Sequence, residues 1–276
     1  MGIVLNVRWL VRVVVIMCVV HLAHAAGAFA QDAQAAPAST AARHFRRGWV
    51  DVNLGVAAAR EKTYSSTYDF ELFDEMASGK ADYRLPRGAE FDFGGGVLLT
   101  RNFGIGVSFV GTAHEDTAGL SLRIPHPFYA NAFATDSKDT DAPLRRVESV
   151  TNIQAVFVQD VTPALRVRLF AGPSLFRAQQ DVVSDIEFDQ AFLFFSPANT
   201  IDITTYKTEQ VGFDGVSGWG AHFGGDVSWF FTGVVGVGGF ARYSTGSVEF
   251  TDPASEKTAT LKTGGFQAGG GLRLRF

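Results

Sequence analysis

The sequence predicts an all-β fold: a transmembrane antiparallel up-and-down β-barrel of eight strands, with short turns at one end and long loops at the other. Three observations lead there. From Trp49 onward apolar residues alternate with polar or tiny ones, and no stretch has a convincing helical period. Eight such stretches can be counted, an even number, as closed antiparallel membrane barrels require. The connections between them alternate strictly between short and long.

The amino end reads as a separate element. "MGIVLNVRWLVR" carries Arg8 and Arg12 and no acid, and the apolar run "VVVIMCVVHLA" follows it. With the small-residue site Ala28-Phe29-Ala30, residues 1–30 read as a cleaved secretory signal peptide. The run is also shorter than the ~20 residues of a spanning helix. Cys18 is the single cysteine and lies inside it, so the remaining chain has neither disulfides nor thiolate metal sites. Cleavage changes the formal charge from −4 to −6, with 22 basic against 28 acidic side chains. That acidic balance argues against nucleic acid as a partner. Residues 31–47, rich in Ala, Pro and Ser, read as a flexible leader, and residues 48–276 as the barrel domain.

The strands follow in order. "WVDVNLGVAAA" sets Val50, Val52, Leu54 and Val56 against Asp51, Asn53 and Gly55, because successive side chains in a strand point to opposite faces. "GAEFDFGGGVLLT" sets Phe91, Phe93, Val97 and Leu99 against Glu90, Asp92, Gly94 and Gly96. "FGIGVSFVGT", "SVTNIQAVFVQ", "LRVRLFAGPSLF", "GWGAHFGGDVSW", "GVVGVGGFARYS" and "GGFQAGGGLRLRF" complete the eight. The short connections are "RN", "DVTPA" and "FFT"; the long ones are residues 59–88, 113–147, 177–215 and 244–262. Pieces of the third long loop, "SDIEFD" and "IDITTYKT", alternate well enough to extend its hairpin and would allow ten strands.

Which face is outside follows from composition. The polar face holds Gly94, Gly96, Gly104, Gly106, Gly224, Gly236, Gly238, Gly269 and Gly271 and few charges. A water-facing exterior would carry many Lys and Glu, and glycine only weakens an exposed strand. The narrow interior of an eight-stranded barrel does need small residues. The polar face therefore points in. A periplasmic ligand-binding barrel with an apolar interior has the same period and is the alternative fold.

The last stretch, "GGFQAGGGLRLRF", alternates to the final Phe276 and resembles the carboxy-terminal signal of bacterial outer-membrane barrels. Together with the signal peptide and the eight strands, the chain is similar to the small barrels of the OmpA/OmpX/OmpW type. The resemblance implies a place in the cell outer membrane, among lipid and lipopolysaccharide, and reading of Phe276 by the outer-membrane assembly machinery. It implies no cofactor and no enzymatic activity. What the loops bind it leaves open.

Candidate site residues fall into three groups. Asp51, Glu90, Asp92 and Asp226 with Arg166, Arg168, Arg242, Arg273 and Arg275 face the lumen and nearly balance in sign. Unpaired charges there would be costly, so a salt-bridged plug is expected in preference to a narrow channel for hydrophobic or ionic solutes. Strand direction places Asp51 beside Arg273 and Arg275, and Asp226 beside Arg166 and Arg168. His222, Asp226 and Ser228 share a face, but residues four apart on a strand are separated by roughly 13 Å. A membrane-embedded hydrolase is therefore the weakest reading. In "AFLFFSPA", Phe192, Leu193, Phe194 and Phe195 are unexpected in a solvated loop and are expected to pack on "IPHPFYANAF" or to meet a partner. Asp136, Asp139 and Asp141 read as a solvated acidic loop able to gather divalent cations. No spacing suggests a metal site.

Overall fold

The computed structural model describes residues 46–276; the signal-peptide assignment and nearly all of the leader lie outside the described residues. Among the described residues twelve strands follow one another without a helix. They are β1 (Gly48–Ala57), β2 (Arg60–Leu72), β3 (Glu75–Leu85), β4 (Gly88–Leu98), β5 (Phe103–Asp116) and β6 (Ala118–Pro125). Then come β7 (Phe133–Asp139), β8 (Leu144–Asp160), β9 (Leu165–Phe192), β10 (Asn199–Phe230), β11 (Val235–Thr251) and β12 (Thr258–Arg275).

Eight of them close an antiparallel barrel in the order β1-β12-β11-β10-β9-β8-β5-β4, with β4 returning to β1. The terminal stretch closes the ring as its alternation requires: Asp51 pairs with Arg273 and Val52 with Leu272, while the Phe276 amide donates to the Gly48 carbonyl at 2.9 Å. The other four form a second sheet, β2-β3-β6-β7. Two of the long connections are thus not loops but paired strands. A third is the upward continuation of β9 and β10, so the barrel has eight strands and the described residues twelve. Pro86 and the break at Thr117 take the chain from one sheet to the other; a proline cannot donate to a ladder.

The short turns share one chemistry. In turns 99–102, 161–164 and 231–234 a threonine sits second. The Thr100 hydroxyl accepts from the Asn102 and Phe103 amides, Thr162 from Ala164 and Leu165, and Thr232 from Val234 and Val235. Each hydroxyl stands in for a missing backbone acceptor, which holds the turn tight.

The two faces of the barrel are inverted relative to a water-soluble protein. Phe103, Ile105, Val107 and Phe109 of β5 are each at least 40 % exposed, as are Leu169, Phe223, Val227, Trp229 and Leu272. Asp51, Asn53, Glu90, Asp92, Asn152, Arg168, His222, Asp226, Arg242 and Arg273 are buried. An apolar belt facing outward around a polar lumen is what the hydrocarbon of a bilayer requires of a barrel. The soluble barrel with an apolar interior is excluded by this arrangement, and no other location for the belt removes it from water. Above the belt, the second sheet and the β9–β10 hairpin share a continuous apolar core that includes Tyr64, Tyr83, Leu120, Leu122, Ile124, Val182, Ile186, Ile203 and Phe250.

Bilayer contact sets the expected cost of a charge by depth. Leu169→Arg, near the middle of the belt, costs about 2–4 kcal/mol in reversible denaturant unfolding from vesicles, and Val161→Arg, in a turn, about 0–1. Equal and negligible costs would mean that this face meets water.

Candidate functional site

The lumen is filled layer by layer, because every second residue of eight strands points into a narrow space. At the short-turn end Arg275 lies 3.8 Å over the Phe230 ring. It donates to the carbonyls of Gly233 (3.0 Å) and Pro163 (2.9 Å), so it does not pair with Asp51 as strand direction suggested. Arg166 also departs from expectation. It makes a two-point contact with Asp160 at 2.7 and 3.1 Å, its direct partner across β8 and β9, and leaves Asp226 to others.

Above this rim lies a ring of alternating charge. Arg168 contacts Asp51 at 2.6 Å and Asp226 at 3.7 Å, and Arg273 contacts Asp51 at 3.5 Å. Arg273 binds Asp226 through two nitrogens, its Nε at 3.0 Å. Arg273 also donates to Asn53, and Ser228 to Asp226. The partner that strand direction missed for Asp226 is thus Arg273. It reaches across β11 because a carbon added at Gly238 would sit 2.8 Å from its Nε, the space glycine leaves open.

The next layer is built on Arg242. Its guanidinium donates to Glu90 at 2.5 Å, Asp92 at 2.6 Å and Gln267 at 2.6 Å, while Asn53 donates to Asp92 at 3.1 Å. A neutral layer follows, from Ser108 through Asn152 to Ser174, whose hydroxyl lies 2.9 Å from His222 Nδ1. His222 therefore meets Ser174, while Ser228 serves Asp226; the three residues sharing one face do not assemble. Val110, Val150 and Phe176, register partners on β5, β8 and β9, form an apolar layer above. Phe176 fills the space over Gly220 and Gly246. A further ion pair, Arg146–Glu148, caps them, tied to β12 through the Lys262 carbonyl (2.7 Å) and the Gly264 amide (3.2 Å).

Sequence reasoning placed Asn53 and Gln267 on the polar face but not in the charge network, and it overlooked Asp160 at the rim and the Arg146–Glu148 pair, all in phase with residues already assigned. The voids between the ionic layers measure about 20 and 10 Å³, room for roughly one water each.

The opposite end carries an aromatic tip. Phe128 packs on Phe192 and Phe194 with ring centres 5.7 and 5.1 Å apart, and Phe192 on His126 at 5.5 Å. His126 is buried and accepts the Phe128 amide at 3.0 Å. The expected contact between "AFLFFSPA" and "IPHPFYANAF" is therefore made by Phe192 and Phe194. Leu193, Phe194 and Phe195 are nonetheless 61, 65 and 98 % exposed. Asp136 belongs to β7 and accepts the Ile203 amide at 2.9 Å; Asp141 lies 3.5 Å from Lys138. In the head, burial pushes the phenols of Tyr64 and Tyr83 above their usual range.

No family model matches the chain, and no curated protein matches it. Among solved structures, it is similar to the outer membrane protein OprG from Pseudomonas aeruginosa (7 % identity, 84 % of this chain and 96 % of that one, TM-score 0.41). It is similar to Neisserial surface protein A (15 %, 83 % and 97 %, 0.37). A third is Ail of Yersinia pestis in complex with the heparin analogue sucrose octasulfate (12 %, 82 % and 99 %, 0.36). The barrel described above is defined by its own ladders and faces.

The charge ring makes a quantitative expectation. Asp226→Ala removes the two-nitrogen contact of buried Arg273, leaves it only the longer 3.5 Å contact to Asp51, and destabilises by about 3–5 kcal/mol. Asp226→Ala with Arg273→Met recovers part of that loss. Additive single costs in a double-mutant cycle would show that the two groups do not interact.

Proposed function

We propose that the protein is a non-enzymatic outer-membrane barrel that acts as a surface-interaction scaffold and not as a pore. The observation that carries this reading is the filled lumen. Two charged layers, a neutral layer, an apolar layer and a further ion pair succeed one another along the axis, and the voids on either side of the Asp51–Asp226 ring measure only about 20 and 10 Å³. Conduction would require breaking several buried pairs at once, each costly to separate.

What the barrel then offers is the head. Its β-sheet and the long β9–β10 hairpin share a packed core, so the tip is held rigidly instead of on a mobile loop. Exposed Leu193, Phe194 and Phe195 at that tip are the contact surface in this reading. Lipid and lipopolysaccharide surround the belt, with the short turns on the periplasmic side. The sealed site around Ser174 and His222 supports no hydrolytic role, since Ser174 is 0 % exposed and no carboxylate bonds to His222 among the described residues.

Purified protein in a planar bilayer is expected to give no defined conductance steps. Steps whose size changes in Arg242→Ala or Asp92→Asn would replace this reading with the narrow channel.

A further inference from the structure

The large apolar side chains exposed in the head are not scattered. Phe73 and Met76 lie at the β2–β3 turn, Phe128 in the β6–β7 loop, and Leu193, Phe194 and Phe195 in the β9–β10 turn. The three turns adjoin one another. Phe128 packs on Phe192 and Phe194, and Glu75 accepts the Asn131 amide at 2.7 Å. The head therefore ends in one apolar surface assembled from three separate pieces of chain, the mark of an interaction site.

Two features of this surface describe what covers it. Residues 124–135 and 190–201 contain no Asp, Glu, Lys or Arg. Many of their backbone donors are also spent within the turns. The Phe128 amide donates to His126 Nδ1, Ala132 to the Tyr129 carbonyl and Leu193 to the Ala198 carbonyl. Ser196 donates to the Leu193 carbonyl and Ala198 to the Ser196 hydroxyl, while Pro125, Pro127 and Pro197 have no amide hydrogen. The Gln190 and Asn199 amide groups turn inward to the carbonyls of Pro125 (2.9 Å) and Ile124 (3.4 Å). A protein partner is oriented by polar groups left free to bond across the interface. Hydrocarbon requires instead that backbone groups be satisfied from within, and the tip meets that condition.

Charge selects the kind of lipid surface. The side chains bounding the two neutral segments are Arg123, Asp136, Asp189 and Asp202. Asp189 and Asp202 are paired across the hairpin, Arg123 lies 3.3 Å over the Phe133 ring, and Asp74 and Glu75 add two more acids at the third turn. An anionic leaflet repels such a collar; a zwitterionic one does not. The surface is also not the barrel's own. Leu175 pairs with the exposed Trp219 of the belt, and Phe192 stands roughly 55 Å further along β9 at ~3.3 Å per residue. We propose that the tip inserts Phe128, Leu193, Phe194 and Phe195 into a second, zwitterionic bilayer facing the one that holds the barrel. The proposal rests on the reading of the tip as the contact surface.

The test uses the full barrel in nanodiscs with sucrose-loaded phosphatidylcholine vesicles, which sediment while nanodiscs do not; empty nanodiscs are the blank. Barrel-bearing nanodiscs are expected to sediment with the vesicles. Phe195→Ser should weaken that binding about tenfold, the worth of burying one such side chain, and Phe195→Trp should preserve it. Vesicles of phosphatidylglycerol should bind about fivefold more weakly, and Asp189→Asn with Asp202→Asn should narrow that difference. No sedimentation with phosphatidylcholine would overturn the lipid assignment and leave a protein as the tip's occupant. Tighter binding to phosphatidylglycerol would overturn the choice of surface. Sedimentation untouched by Phe195→Ser would place the contact away from the tip and overturn both this proposal and the contact surface on which it rests.

Discussion

The structure depends on one constraint: eight strands enclose a space too narrow for water to fill, so side chains must fill it and their charges must cancel. Asp51, Asp226, Arg168 and Arg273 meet this by alternating in sign around a ring, while Glu90 and Asp92 share the single Arg242, two carboxyl groups to one cation. Large residues can enter only where the facing strand has no side chain. Trp49 lies over Gly96 and Gly106, and Phe176 over Gly220 and Gly246. The glycine-rich inner face and the buried arginines are therefore two sides of one packing solution.

The same strands then leave the membrane. β9 and β10 run on as a paired hairpin to Phe192 and Asn199, and their inward residues change from polar to apolar. Val182, Val183, Ile186 and Ile203 now join the head's core instead of a lumen. Gly212, with φ of +99°, marks where the hairpin changes register, a local bend that a residue with a Cβ would resist. Tyr83 fastens the second sheet to this hairpin by accepting the Val183 amide at 2.7 Å, and Ser66 fastens β2 to Asp252 at 2.5 Å. A surface contact presented on such a head loses little conformational entropy on binding.

Much of this was readable in the sequence, because strand periodicity is local. The eight barrel strands, the inward face and the closing role of 264–276 all follow from counting in twos. The pairing of charges did not follow. Arg242 on β11 reaches Glu90 and Asp92 on β4, three strands away around the ring. Such contacts depend on the stagger of the closed barrel, which no single strand encodes. The head was missed for a different reason. Tyr64, Tyr68, Phe70 and Leu72 do alternate, but charged neighbours and a tight turn at Phe73 and Asp74, both with positive φ, made the segment resemble a solvated loop.

The central claim is that the lumen is sealed both by the charged layers and by the apolar layer above them. Ser174 lies between the two and is fully buried. In a Cys18→Ser background, Ser174→Cys carries the chain's single thiol. Its reaction with a small, charged, membrane-impermeant thiosulfonate, applied from either side of the bilayer, reads directly whether water reaches the middle of the barrel. The account predicts no labelling of the folded protein from either side and complete labelling once it is unfolded. Rapid labelling of the folded protein from one side would reveal an open path and contradict it.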